Sequence, residues 1–352
     1  EPADVAALST RANAARDLGR LAEAVAGHGR ADRLSGGEPT VRWNYALALL
    51  LAGRLQEGFA AHEARWRARG FPTAPRGLPQ PLWQGEDIAD RTILLHEEQG
   101  RGDAIQFARY APLVAARGAR VVLEVGEDLV GLMRTLPGVD TVIARGEDVP
   151  PVDVQCPLLS LPHAFGTTLA TVPANVPYLA ADPARAAGWR RRLAGDGLKV
   201  GLVWAGNPAF AGDRDRSPGL VALLPLLDVP GVRFYGLQLG PGREELADRA
   251  LPAAFTDLAP HVADFMDTAA IMDNLDLVIS SCTSPAHLAG ALGRPVWVLL
   301  SAVPDWRWLM GRVDSPWYPT ARLFRQPRPG DWAAVVAEVR AALLERALSA
   351  PA

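Results

Sequence analysis

The chain has 352 residues, 49% of them hydrophobic and 21% charged, with Lys+Arg 36 against Asp+Glu 39 and a net charge of −3. That balance gives no footing for nucleic acid as a partner, no apolar run is long enough to span a membrane, and two cysteines are too few for a disulfide framework. The expectation is a globular protein of two or three domains in a reducing, cytoplasmic compartment. The opening EPADVAALST shows no basic stretch ahead of an apolar core, and the missing initiator Met suggests a piece of a longer protein.

The first seventy residues repeat. LGRLAEAVAGHGRA, from Leu18, aligns with AGRLQEGFAAHEAR, from Ala52, and Gly19/Gly53, Arg20/Arg54, Leu21/Leu55, Glu23/Glu57, Ala26/Ala60 and His28/His62 each pair at an offset of 34. That is the period of the tetratricopeptide repeat, a helix–turn–helix unit whose glycine lets the chain turn. Residues 1–70 are read as such repeats, continuing upstream or leaning on the next domain. Residues 71–90, rich in Pro and Gly, read as a linker.

From there strands and helices alternate. TILLH (92–96), VVLEV (121–125) and TVIA (141–144) are strand-like, with helical stretches AIQFARYAPLVAARG and EDLVGLMRTL between them. This predicts a first doubly wound parallel domain over 91–182, with Pro157 to Pro183 as a hinge region. A second, over 183–330, has strands at 199–206, 233–239, 276–280 and 295–300. Its first helix is expected to be capped by Ser217 with Pro218 in the first position. Residues 331–352 form a terminal helix and tail, with the helix crossing back toward the first domain. The predicted fold is therefore α/β, two Rossmann-like domains behind an all-α segment, with ligands at the carboxyl ends of the strands.

Four loops have the composition for chemistry. HEEQGRGDAIQFARY follows the first strand. Gly100 and Gly102 allow close backbone approach, and Asp103 at the helix start either caps free N–H groups or takes a proton from an acceptor hydroxyl. Glu97 and Glu98 are alternatives for the base. Glu98, Gln99 and Arg109 are candidate acceptor or sugar contacts. WAGNPAFAGDRDRSPGL runs from strand end through a polar loop to a helix start, an anion-site pattern. In it Asn207, Arg214 and Arg216 are candidate diphosphate ligands, although the Asp and Arg side chains of 213–216 can also pair among themselves. A metal-holding DxD reading is weaker, because the intervening arginine opposes a cation. In LQLGPGREEL, Gln238 is placed to meet a base or ribose. In ISSCTSPAHLAGALGRPVWVLL, Thr283, Ser284 and His287 converge at a helix N-terminus, a phosphate-binding arrangement. Cys282 and His287 also raise a thiol–imidazole pair, but no third group to orient the histidine is evident.

These motifs, with FMDTAAIMDNLDLVIS, PDWRW, DSPWYP and LFRQ in the same order behind 34-residue repeats, resemble the bacterial tetratricopeptide-repeat glycosyltransferases. These are distant relatives of the ADP-heptose–lipopolysaccharide heptosyltransferases with a GT-B fold. The resemblance implies inverting, metal-independent transfer from a nucleotide-sugar, with no cofactor. It makes Asp103 the base, and Arg216, Thr283 and His287 donor ligands. It also implies an acceptor protein of surface or flagellar type, held by the repeats. Cys282 departs from the pattern, since relatives carry Asp there. Trp306 and Arg307 are candidate sugar or base contacts, with packing the better reading for the tryptophan. Alternatives are a non-catalytic binding protein with a degenerate donor loop, a nucleotide-sugar epimerase and a Cys–His hydrolase.

Overall fold

The computed structural model describes residues 4–210, 212–247 and 249–349. The chain divides into two compact units. The first comprises Glu1–Glu127, Pro137–Ala174 and Val303–Arg312, the second Asp128–Leu136, Asn175–Ala302 and Val313–Ala352.

The first unit opens with four helices, α1 (Val5–Asp17), α2 (Leu21–Leu34), α3 (Pro39–Leu51) and α4 (Leu55–His62), followed by a 3-10 turn over Glu63–Arg67. The Asp4 side chain accepts from the N–H groups of Ala6 and Ala7 to start α1, and the Glu38 carboxylate accepts from Val41 to start α3 behind Pro39. The two interhelical turns are near copies. Gly19 and Gly53 sit at φ +72 and +77, where a side chain would be strained. Arg20 N–H donates to Ala15 O at 2.8 Å, and Arg54 N–H to Leu49 O at 2.9 Å. Small residues, Ala15, Ala24 and Ala48, let the helices approach closely.

The first sheet holds β1 (Thr92–His96), β2 (Arg120–Val125), β3 (Thr141–Ala144) and β4 (Val154–Pro157), all parallel, in the order β3-β2-β1-β4. Ile93 faces Val121 on one side and Val154 on the other. The helix expected after β1 is cut short: α5 spans Arg101–Phe107, and a second piece resumes at Ala111–Ala115. Pro112 explains the break, since its ring and missing N–H cannot continue the preceding turn. The expected linker is a packed strap. Trp83 and Ile88 are buried, Trp83 N–H donates to Gln155 O at 2.8 Å, and Gln155 N–H donates to Pro81 O at 3.0 Å. Proline excludes a central strand but suits this extended cover along the edge of β4.

The second sheet holds β5 (Leu198–Val203), β6 (Val232–Gly236), β7 (Phe255–Asp257), β8 (Leu277–Ser281), β9 (Val296–Leu300) and β10 (Ala321–Arg325), all parallel, in the order β10-β9-β8-β5-β6-β7. β4, β7 and β10 are short or lie among prolines, so periodicity does not reveal them. The terminal helix Trp332–Ser349 buries Val335, Val336, Val339 and Leu343 with Leu220, Leu223 and Phe324 in the core of the second unit. The segment that returns to the first unit is instead Val303–Arg312. Among the described residues no helix is long and apolar enough to cross a membrane.

Candidate functional site

In the first sheet the strand order reverses between β1 and β4, so the loops after these strands border the crevice where open parallel sheets take ligands. Arg65 occupies this place. Its Nε and Nη2 donate to the Glu98 carboxylate, each at 3.0 Å, and Nη2 also donates to Ser160 Oγ at 2.8 Å. Nη1 donates to Glu63 Oε1 at 2.6 Å. Arg65, Glu98 and Ser160 are all buried. Burial pushes the Glu98 carboxyl up to about 7, while the Arg65 charge pulls it the other way. Burial holds His62 well below the usual imidazole range, reinforced by Arg65 and Arg307, and burial likewise lowers His96. Glu98, considered as a base or sugar contact, is thus committed to a buried ion pair. Glu97 is buried too, with Oε1 accepting from Arg101 Nη1 at 3.2 Å.

Asp103 lies in the first turn of α5. Its Oδ2 accepts the Gly100 N–H at 2.9 Å, which is the capping role, and its Oδ1 accepts from Arg307 Nη2 at 2.5 Å. The side chain keeps 18% exposure. Arg307 also donates from Nε to Gln106 Oε1 at 2.7 Å and from Nη1 to Asp305 Oδ1 at 2.9 Å. Trp306 is buried, stacked on Phe107 at 6.3 Å and edge-on to Phe59 of α4 at 5.6 Å. Its role here is packing. Arg109 is buried as well and braces the chain, donating to Gln106 O at 2.8 Å and Pro173 O at 3.1 Å. Gln99 and Gly102 are half-buried.

In the second sheet the order reverses between β5 and β8. The loops after those strands meet at Gly206, where an added Cβ would run into Asp213, Arg216 and Thr283. Arg216 Nη1 donates to Cys282 O at 3.1 Å and its Nε to Asp213 Oδ1 at 3.0 Å, with the guanidinium 4.5 Å over the Phe210 ring. Of the charged run, only Asp213 and Arg216 pair in this way. Arg214 and Asp215 are exposed, and so is Asn207, whose Oδ1 accepts from Ala209 N–H at 3.0 Å. Among the described residues no group of three or more His, Cys, Asp or Glu side chains could hold a metal ion.

The helix Ser284–Ala291 has Thr283 as N-cap in extended backbone. Thr283 Oγ1 donates to Ser281 O at 3.3 Å, so no side chain caps the first turn. Ser284 is half-buried there. His287 is buried, with Nδ1 at 2.9 Å from the Tyr318 hydroxyl. Cys282 is buried and is not in a disulfide.

Two residues do other work than their motifs suggest. The Gln238 carbonyl accepts from the N–H groups of Trp204 and Ala205, both at 3.0 Å, and its amide donates to Pro241 O at 2.7 Å and Ala205 O at 3.1 Å. Both ends of that amide are used in tying loops together, which leaves it poorly placed for a base or ribose. Ser217 does not cap its helix. Its Oγ accepts from Gly206 N–H at 2.9 Å, and Glu245 caps Leu220 N–H at 2.9 Å.

Sequence reasoning missed Arg65, Ser160, Tyr318 and Glu245. A signal for Arg65 existed: at the 34-residue offset, Glu63 and Arg65 stand where the first copy has Gly29 and Ala31. Charges replacing small residues in one copy of a repeat mark a face that meets something polar.

No family model matches the chain. It is 32% identical to Protein FlbA of Caulobacter vibrioides across 371 residues, taking in 97% of this chain and 62% of that protein. The chain therefore spans less than two thirds of that curated relative. Among solved structures it resembles a glycosyl transferase family 9 protein of Veillonella parvula, with TM-score 0.55, 10% identity, and 76% of this chain and all of the other covered. It resembles the E. coli ADP-heptose lps heptosyltransferase II with TM-score 0.51, 14% identity and 72% and 99% coverage. The iron-containing dodecameric glycosyltransferase TibC of enterotoxigenic E. coli follows with TM-score 0.50, 14% identity and 75% and 78% coverage. The fold is that of these glycosyltransferases.

Proposed function

We propose that this chain is an inverting, metal-independent glycosyltransferase. It moves a sugar from a nucleotide-sugar to a protein acceptor, of surface or flagellar type, held by tetratricopeptide-type repeats. The observation that carries the reading is the gathering at the second switch point. There Arg216 is tied to the Cys282 carbonyl at the start of a helix whose first turn has no side-chain cap. Such N–H groups, with a guanidinium beside them, suit a diphosphate. The near-identical turns at Gly19 and Gly53 support the repeat reading.

The acceptor hydroxyl attacks the anomeric carbon as the bond from that carbon to the phosphate oxygen breaks. Asp103 takes the hydroxyl proton, and the nucleoside diphosphate leaves with the electron pair. Arg216 and the N–H groups of the Ser284–Ala291 helix meet its charge, with Thr283, Ser284 and His287 as further donor contacts. Arg214 and Asn207, on an exposed loop, join only if that loop folds over the donor.

One observation favours a second reading, a binding protein without turnover: both carboxylate oxygens of Asp103 already carry hydrogen bonds. Turnover of ADP-, UDP-, GDP- and CMP-sugars by wild type and Asp103→Asn separates the two. Loss of roughly a hundredfold or more in kcat is expected, measured well below the melting temperature, which falls because either Gly100 N–H or Arg307 then faces the amide nitrogen. Equal rates would remove Asp103 as the base. No stabilisation by ADP, UDP, GDP or CMP in a thermal-shift assay would favour the binding protein.

A further inference from the structure

The chain leaves the first unit after Ala174 and comes back to it only for Val303–Arg312. This return is anchored by Trp306, packed between Phe59 and Phe107. It then passes through Leu309 at φ +53, a left-handed position that costs a non-glycine residue conformational energy. Strain of this kind persists only where the surroundings over-determine it, and it gathers at working sites. Arg307 and Trp308 lie between the anchor and Leu309, and Arg307 carries the charge.

Arg307 acts as a three-way bracket. Nε is taken by Gln106 Oε1 and Nη1 by Asp305 Oδ1, which also accepts the Arg307 backbone N–H at 3.0 Å. The Trp306 ring lies 4.2 Å from the guanidinium carbon. Those contacts set the guanidinium plane, and the remaining Nη2 goes to Asp103 Oδ1. Asp103 Oδ2 is already set by Gly100 N–H. One bond to each oxygen fixes the plane of the carboxylate, and each oxygen keeps a lone pair for an acceptor proton.

We infer that Arg307 is a positioning residue: it fixes the Asp103 carboxylate in the orientation needed to take the proton from the acceptor hydroxyl, and the return of Val303–Arg312 delivers it. This rests on Asp103 being the base.

Two measurements on Arg307→Met and Arg307→Lys test it. The first needs no substrate: amide hydrogen exchange at Gly100, whose N–H reports whether the carboxylate is held. Exchange about tenfold faster in Arg307→Met, with Arg307→Lys between it and wild type, is expected. Unchanged exchange in both variants would overturn the inference. The second is turnover of the same four nucleotide-sugar types. Here kcat should fall by about a hundredfold while the donor KM stays within about twofold, with partial rescue by lysine. A donor KM that rises while kcat holds would make Arg307 a donor contact instead. If wild type turns over none of the four, the proposed activity fails, and the Gly100 exchange still decides the role of Arg307.

Discussion

Each sheet reverses its strand order once, between β1 and β4 in the first unit and between β5 and β8 in the second, yet the two crevices are filled differently. In the first, a buried guanidinium from the helical segment spans the gap, bonding Glu98 on one loop and Ser160 on the other. In the second, Arg216 and the backbone of the Cys282 loop meet beside an uncapped helix start. The same topology serves in one case as a structural joint and in the other as a candidate anion site. Shared fold therefore does not transfer a site between the two sheets.

The sharpest way to break this comparison is to remove the joint. Arg65→Met leaves Glu98 buried without its main partner and should cost about 3–5 kcal/mol in urea unfolding. Arg65→Met with Glu98→Leu should recover much of that loss, because the carboxylate goes with its counterion. Equal losses in the single and double variants would mean that Arg65 acts by packing alone.

The same joint predicts a pH dependence. Burial raises the folded-state Glu98 value from 4.5 to about 7. The folded protein then binds this proton more tightly than the unfolded chain does. The stability it contributes is complete below pH 4.5 and is lost as pH rises through 7. The shift is worth on the order of 3 kcal/mol. Glu98→Gln should flatten that fall between pH 5 and 8, and a slope unchanged in the variant would place the titration elsewhere.

A smaller contrast lies within the second unit. Arg216→Ala should weaken nucleoside diphosphate binding by about tenfold or more, since it loses a charge-assisted phosphate contact, and should also cost about 1–3 kcal/mol because Asp213 and the Cys282 carbonyl lose their donor. Gln238→Ala should cost stability alone. It orphans the Trp204 and Ala205 N–H groups, at about 1–3 kcal/mol, with affinity nearly unchanged. Calorimetry and thermal melts on the pair would show whether the ligand contacts and the loop brace are separate, as the hydrogen bonds indicate.

How much of this was legible follows from which forces were local. The strands β1, β2, β5, β8 and β9 are apolar runs between turn residues, and the Gly19 and Gly53 turns repeat at a fixed interval, so pattern alone finds them. The start of the Ser284–Ala291 helix was legible through its Thr-Ser-Pro letters. Arg65 with Glu98 and Ser160, Arg307 with Asp103, and Gln238 with its loops were not. Each pairs groups distant in sequence, and nothing in the letters of one end names the other. Gln238 is instructive, because a polar residue at a strand end fits a ligand contact and a loop brace equally well until its four partners are known.

The smallest expected effect is at Cys282, the position where the resemblance expects an aspartate. What the site uses there is main chain: the carbonyl receives Arg216, and the residue leads into the N-cap of the helix. Cys282→Ser keeps that backbone and adds one buried hydroxyl, for a cost of about 1 kcal/mol in stability and turnover within about threefold of wild type. A thiol nucleophile would instead be abolished by the same change. Cys282→Asp is the complementary probe. It places a carboxylate beside the proposed diphosphate, so it should either lower affinity for every nucleotide or shift the preference among ADP-, UDP-, GDP- and CMP-sugars. A shift would make the side chain at 282 a determinant of the donor. A uniform loss would show that this site works best without a charge there, with Arg216 and the helix N–H groups meeting the phosphates alone.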